Sequence, residues 1–298
     1  NVPHMSIKLP KLFLDSGDPA ETKKAKSILG FLDGQTTNPS LVAKNPAVLA
    51  KKEEGKDMTE DQLLELYKSI ITEIDKEVAG PISVETYADW DTPVEQMLAQ
   101  AKEMKTWGRN IYVKFPAIPA GVAAAHEFVK TGGKVNMTLV FDQNQAAAVY
   151  AATLPTFQPA YISPFVGRWD DRGYRGLDLI KNIQKMYRDF NKTRNEHKSH
   201  VEVLAASIRT LDHFYAAIAL GADAITVPLT ILQEWIQQER FVPDESYRIE
   251  TPGLRSLLYQ ELSYHDDFTQ YPIAKEDGSL LTQGLAKFVT DWNNIITK

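Results

Sequence analysis

The stretch Ile111-Tyr112-Val113-Lys114-Phe115-Pro116 decides how the rest of this chain is read. It is short, rich in β-branched and aromatic residues and closed by a proline, which is the pattern of a buried strand. Inside it sits one lysine. Burying an unpaired ammonium is so unfavourable that such a group finds a counter-charge or gives up its proton. A lysine of ordinary pKa, about 10.4, is neutral in roughly one molecule in a few thousand at pH 7, and a downward shift of about three units would make it an amine nucleophile. The alternative is a structural lysine in a buried ion pair, or one whose stem is buried while its tip reaches water. This stretch alone does not separate the two readings.

Runs of the same kind recur on both sides: Lys11 to Asp15, Phe31 to Thr36, Ile82 to Tyr87, Val135 to Val140, Tyr161 to Val166, Val203 to Ile208 and Ala224 to Leu229. Between most of them lie segments with helical spacing and helix-start chemistry. Asp18-Pro19-Ala20-Glu21 and Thr92-Pro93-Val94-Glu95 each offer a capping residue, a first-turn proline and a glutamate. Thr59-Glu60-Asp61-Gln62 opens a segment whose Leu63, Leu66, Tyr67, Ile70, Ile71 and Ile74 recur at spacings of three and four, a core-facing stripe. Strands alternating with helices in this number predict an α/β fold, a single (β/α)8 barrel of the TIM type, with an open doubly wound sheet as the alternative. The polar run from Arg188 to His200 reads as a solvated helix end and loop before the seventh strand. From about Ser246 the strand-helix pattern stops, and a helical C-terminal extension packed on the barrel is expected. No glycine-rich linker marks a second domain, so residues 5–298 are expected to form one domain. Asn1 to His4, ahead of Met5, read as a remnant of recombinant expression.

With 298 residues, 43% hydrophobic, 24% charged and a formal charge of -6, the composition is that of a globular protein with no net basic surface for nucleic acid. The chain has no cysteine, which excludes disulfides, cysteine nucleophiles and thiolate metal sites. No apolar stretch reaches the roughly 20 residues of a membrane span, and the N-terminus lacks the apolar core of a signal peptide. Cytoplasm is the default location.

The polar residues within these strands fall near their C-terminal ends, where barrels build active sites. With a period of two, Phe13 and Asp15 share a face, as do Ser83 and Glu85, Tyr112 and Lys114, and Asn136 and Thr138. If those faces point inward, one amine and two carboxylates meet above the barrel floor. Asp15 or Glu85 alone reads as an ion-pair partner or loop cap. Together with Lys114 they point to Schiff-base chemistry, in which a carboxylate moves the protons. Nearby carboxylates also stabilise a protonated lysine, so burial has to outweigh them. A second group closes the sixth and seventh segments, Ser163-Pro164-Phe165-Val166-Gly167-Arg168 and Leu204-Ala205-Ala206-Ser207-Ile208-Arg209. Two guanidinium forks and the Ser207 hydroxyl at adjacent strand ends suit a phosphate.

Other chemistries are weaker. His197 and His200 lie in a charged run that reads as a solvated loop rather than a metal site, and His126, His213 and His265 have no ligand-like spacing. Neither a phosphate loop nor a dinucleotide fingerprint is present. Gly167, Gly173 and Gly176 flank Asp170-Asp171-Arg172, which reads as an ordinary, mobile strand-to-helix loop.

Four segments, Asp33-Gly34-Gln35-Thr36-Thr37-Asn38-Pro39-Ser40-Leu41, Val113-Lys114-Phe115-Pro116, Val135-Asn136-Met137-Thr138-Leu139 and Ser163-Pro164-Phe165-Val166-Gly167-Arg168, together resemble the transaldolase family. The resemblance implies that Lys114 is the Schiff-base lysine, Asp15 and Glu85 the acid/base carboxylates, and Thr138 the holder of a catalytic water. It implies that Asn38, Asn136 and Ser163 bind the dihydroxyacetone hydroxyls, with Thr36 supporting the site and Phe165 beside them, and that Arg168, Ser207 and Arg209 bind the substrate phosphate. The implied reaction transfers a dihydroxyacetone unit from sedoheptulose 7-phosphate or fructose 6-phosphate to an aldose phosphate, as in the non-oxidative pentose phosphate pathway, with no metal or organic cofactor. Sugar phosphates are the expected partners, with neither nucleic acid nor membrane, and a homo-oligomer is left open. Phe165 resembles the transferases, whereas a tyrosine there resembles fructose 6-phosphate aldolases. Gln35, Tyr87 and Trp169 depart from the family pattern; packing is their expected role, and narrowing of the acceptor pocket is the alternative for the two aromatics. The rival readings are an aldolase on similar substrates, a transaldolase acting on a sulfosugar, and a non-catalytic sugar-phosphate binding barrel.

Overall fold

A computed structural model describes residues 8–55, 57–154 and 159–296. The reading of Asn1 to His4 falls outside them. Eight strands, β1 (Lys11–Asp15), β2 (Gly34–Thr36), β3 (Ile82–Glu85), β4 (Ile111–Pro116), β5 (Val135–Val140), β6 (Ala160–Pro164), β7 (Val201–Ala205) and β8 (Ala224–Val227), each pair in parallel with the next, and β8 pairs with β1 to close the barrel. The closed (β/α)8 barrel is therefore the fold, and the open sheet is not.

The observed strands stop earlier than the apolar runs suggest at several C-terminal ends, and the reasons are local. Val166 already opens a helix, and Ser207 adopts φ 55°, a left-handed conformation that cannot continue a strand. β7 is shifted accordingly, beginning at Val201 rather than Val203.

The helices in chain order are α1 (Pro19–Leu29), α2 (Pro39–Ala43), α3 (Pro46–Glu53), α4 (Glu60–Glu77), α5 (Val94–Met104) and α6 (Pro119–Lys130). They continue with α7 (Gln143–Ala152), α8 (Val166–Asp170), α9 (Leu177–Thr193), α10 (Leu211–Ala219), α11 (Leu229–Gln237) and α12 (Leu280–Asn293). Asp18 caps α1 by accepting from the Ala20 amide at 2.9 Å, with Pro19 in the first turn. Thr59 and Gln62 form the reciprocal capping box of α4, which buries Leu63, Tyr67, Ile70, Ile71 and Ile74 and half-buries Leu66. Thr92 does not cap α5. Its hydroxyl donates to Asp89 at 2.8 Å, and Pro93 takes the cap position.

Two segments differ from their sequence reading. Residues 166–176 are not a plain loop: α8 packs so closely that a Cβ on Gly167 would lie 2.6 Å from Arg209 Nε, and one on Gly176 would lie 2.0 Å from the Val166 carbonyl. In the C-terminal extension, residues 238–279 hold only one short 3-10 turn, Phe268–Gln270, and the helical part is α12 alone. Their apolar residues, among them Tyr247, Leu257, Tyr259 and Tyr264, act as separate anchors on the outer core rather than as a helical stripe. Gln143 clamps the strap at Gln260 through both its backbone groups, at 2.8 and 2.6 Å. None of the described helices is long and apolar enough to cross a membrane.

Inside the barrel the period of two sorts side chains into layers. Phe13, Tyr112, Tyr161, Leu204 and Ala224 form an apolar floor. The Phe13 ring fits because Gly34 has no Cβ, which would stand 2.6 Å from it. Below the floor, Lys11 Nζ closes the other end by donating to Tyr161 Oη at 3.0 Å and Glu202 at 2.9 Å. Residues two positions further along β1, β4 and their neighbours rise above the floor toward the C-terminal mouth, which sets where the polar side chains converge.

Candidate active site

Lys114 lies two residues beyond Tyr112 on the inward face of β4 and is 4% exposed. Its Nζ donates to the Thr37 carbonyl at 2.9 Å and sits 3.0 Å from Glu85 Oε2. The register explains the pairing, since Glu85 of β3 is directly opposite Lys114 of β4, and residues opposite in neighbouring parallel strands share a face. Asp15 is opposite Thr36, whose hydroxyl donates to Asp15 Oδ1 at 2.7 Å and lies 2.6 Å from that of Thr226. Enclosure in the barrel pushes the carboxyls of both Asp15 and Glu85 above the ordinary carboxylate range; the charge of Lys114 pulls each back, by less than enclosure raises it. Carboxyls held in this way exchange protons more readily near neutral pH.

Tyr67 secures this arrangement from outside the barrel. Its hydroxyl accepts from the Glu85 amide at 3.0 Å and shares a 2.5 Å hydrogen bond with Thr37 Oγ1. Burial pushes the phenol well above its ordinary range, so it stays neutral. One buried hydroxyl thus ties together the residue that faces Lys114 with its carboxylate and the one that faces it with its carbonyl.

Asn136 sits beside Lys114 in the register and bridges two hydroxyls, donating to Ser83 Oγ at 3.0 Å and accepting from Ser163 Oγ at 2.8 Å. Thr138 is completely buried, and among the described residues its hydroxyl has no hydrogen-bond partner. Beyond it the chain departs from regular strand geometry: Leu139 has φ 58°, and the β5–β6 register shifts between Met137 and Val140. Bulges and left-handed residues at a strand end are where barrels re-aim side chains.

Arg168, Ser207 and Arg209 are brought together at the adjacent mouth of β6 and β7. The Val166 and Gly167 amides donate to the Ala206 and Ser207 carbonyls at 3.0 and 2.9 Å, which clips the two strand ends to each other. His213 Nε2 lies 2.8 Å from Asp170, fixing α8 to α10. Arg209 is paired with Asp171 at 2.5 Å, whereas among the described residues Arg168 makes no ion pair or hydrogen bond.

A cavity of about 330 Å³ joins these two groups. Of the residues singled out from the sequence, Asp15, Thr36, Asn38, Lys114, Thr138, Ser163, Phe165, Arg168, Ser207 and Arg209 all line it. Asn38 does so while capping α2, its Oδ1 accepting from the Leu41 amide at 2.9 Å. Glu85 and Asn136 lie behind this lining; Glu85 borders a smaller neighbouring cleft with Tyr87 and Phe288. Tyr87 and Trp169 do not narrow the cavity. Tyr87 is held through its backbone by Gln100, and Trp169 donates to the Phe141 carbonyl at 2.9 Å and packs edge-on against Tyr174. Gln35 is likewise a packing residue, bridging Ser16 and Thr22.

The cavity also has lining residues that the sequence reading did not select: Ser40, Leu41, Lys44, Thr226, Lys287 and Phe288. Thr226 carried the same signal as the others, a polar residue near a strand's C-terminal end. Lys287 and Phe288 belong to α12, far along the chain, with no local signal linking them to a strand. Among the described residues no group of three or more His, Asp or Glu side chains is placed to hold a metal ion. His200 is not a solvated loop residue; it packs edge-on against Tyr150, and burial lowers its pKa to about 4.

Residues 12–298 match the family model described as Transaldolase/Fructose-6-phosphate aldolase. Curated relatives agree with that match. The chain is 38% identical over 224 residues to a probable transaldolase of Leptospira biflexa, an alignment covering 74% of this chain and 88% of the relative. It is 35% identical over 225 residues to a probable transaldolase of Bdellovibrio bacteriovorus, covering 75% and 88%. With a probable transaldolase of Caldicellulosiruptor saccharolyticus it shares 35% identity over 243 residues, covering 78% and 96%.

Proposed function

This chain belongs to the transaldolase/fructose-6-phosphate aldolase family, and we propose that it transfers a dihydroxyacetone unit from a ketose phosphate to an aldose phosphate through a Schiff base on Lys114. The observation that carries the proposal is that Lys114 and the Arg168 and Arg209 guanidinium groups face one cavity. A sugar phosphate anchored by its anionic end would present its ketone to the amine.

In this scheme the neutral Lys114 amine adds to the ketone carbon, and loss of water leaves an iminium. Glu85, 3.0 Å from Nζ, and a water held by the unpartnered Thr138 hydroxyl move the protons of that dehydration. The iminium then draws in the electrons of the adjacent carbon-carbon bond as it breaks. Asp15 takes the proton from the hydroxyl that becomes the aldehyde, and the first aldose phosphate leaves. The three-carbon enamine stays bound to Lys114 and attacks the aldehyde of the second aldose phosphate, and hydrolysis of the iminium so formed releases the new ketose phosphate and restores the amine. Asn38 and Ser163 hold its hydroxyls, Asn136 behind the lining orients Ser163 by accepting from its hydroxyl, and Thr36 keeps Asp15 in place. Arg168, Ser207 and Arg209 hold the phosphate. Phe165 favours transfer over simple cleavage, because it puts no hydroxyl at that point of the lining to help water release the bound unit.

The test is a product balance with fructose 6-phosphate, with and without erythrose 4-phosphate. Transfer predicts sedoheptulose 7-phosphate formed one for one with glyceraldehyde 3-phosphate and little free dihydroxyacetone without an acceptor. Equal dihydroxyacetone release in both reactions would make the protein an aldolase, and no turnover would leave a binding barrel.

A further inference from the structure

α12 is built into the mouth of the barrel. Its Leu280, Leu281, Leu285 and Phe288 pack with Ile118, Leu139 and Phe141, from the ends of β4 and β5, in an apolar cluster separate from the main core. The approach is close enough that a Cβ on Gly284 would come within 2.9 Å of Leu139 Cδ2. On its other side α12 is anchored to α2, the helix that Asn38 caps, because the Ser40 hydroxyl donates to Asp291. Lys287 is paired with the same carboxylate at 2.8 Å. The helix therefore cannot sit far from the site, and Lys287 and Phe288 both line the cavity.

The charge balance of that cavity gives Lys287 a role. A phosphate at pH 7 carries about two negative charges. Arg209 is already matched by Asp171, leaving Arg168 as the arginine of the pair without an ion-pair partner among the described residues. Asp291, which holds Lys287, also accepts from Ser40 and lies in the field of Lys44, so Lys287 shares its counter-charge with two other groups. Its side chain is 50% exposed, so solvent weakens its pairing with Asp291. Resting on the functional reading above, we infer that Lys287 is a specificity-determining residue, a cation carried by the C-terminal helix that binds the anionic end of the sugar phosphate together with Arg168.

The experiment compares the protein with Lys287→Gln and Lys287→Arg, using fructose 6-phosphate as donor and either erythrose 4-phosphate or unphosphorylated erythrose as acceptor. Loss of a charge-assisted contact predicts that the kcat/KM preference for the phosphorylated acceptor falls about tenfold in Lys287→Gln, through KM, and is largely kept in Lys287→Arg. An unchanged preference, whether both acceptors suffer equally or neither does, would overturn the inference. If the protein transfers nothing, so that the functional reading itself fails, calorimetric titration with inorganic phosphate still decides: binding about tenfold weaker in Lys287→Gln supports the role, and equal binding removes it.

Discussion

Replacing Lys114 by methionine keeps the stem's volume and removes the ammonium, and the structure says what that should cost. Nζ has two partners, Glu85 Oε2 at 3.0 Å and the Thr37 carbonyl at 2.9 Å, in a site where the lysine is 4% and Glu85 3% exposed. Two unit charges at that distance attract by about 5 kcal/mol at an effective dielectric of about 20, and removing one partner of a buried pair costs roughly 3–5 kcal/mol. Here the orphaned partner has an outlet. Burial already pushes the carboxyls of Glu85 and Asp15 upward, and Lys114 holds both back. Without the lysine both rise further and take protons instead of remaining as buried anions. For a carboxyl whose folded-state pKa exceeds its unfolded value, the folded chain holds a proton that the unfolded chain has released, so stability falls as pH rises through the folded pKa. Lys114→Met should therefore be destabilised by about 3 kcal/mol at pH 8 and approach the parent protein at pH 5. Urea midpoints at the two pH values, with unchanged slopes, measure this. A deficit independent of pH, or one that shrinks as pH rises, would refute the account of these carboxyls.

Thr138→Val removes a buried hydroxyl that lacks a protein partner, so stability should hold or rise by about 1 kcal/mol while turnover falls about 100-fold; a chain that loses stability and keeps activity would contradict the water-holding role. Arg168→Gln should weaken inorganic phosphate binding about 10- to 100-fold by calorimetry, since charge-assisted hydrogen bonds contribute roughly 1.5–3 kcal/mol, with secondary structure unchanged by circular dichroism. His200, held down to about 4 by burial, stays neutral in the folded chain while the unfolded chain takes up a proton near 6.5. Its contribution is therefore complete above pH 6.5 and declines by on the order of 3 kcal/mol as pH falls to about 4, a slope that His200→Asn should abolish in urea titrations at pH 7 and 4.5.

The barrel was legible because most strands carry their own signal, a short apolar run with a polar residue near its C-terminal end. Those residues converge through the fold's regular register, so period and position alone grouped Lys114 with Glu85 and Asp15. Legibility ended where a residue's role depends on a distant partner. Tyr67 reads as one more apolar position of α4, yet its hydroxyl holds the Glu85 amide and Thr37. Thr92 has the spacing of a helix cap, but Asp89, three residues back, takes its hydroxyl. α8 reads as loop because it is five residues long, too short for a periodic pattern, and it packs closely on Arg209 and Gly176. Lys287 and Phe288 reach the cavity only because a strap without helical spacing carries α12 back across the mouth.

The central claim is that Lys114 bonds covalently to the substrate ketone. Incubation with fructose 6-phosphate, reduction with borohydride and peptide mass spectrometry test it directly. The account predicts a reduced three-carbon adduct on Lys114 and none in Lys114→Met. An adduct on another lysine, or an active enzyme that yields no adduct, would contradict it.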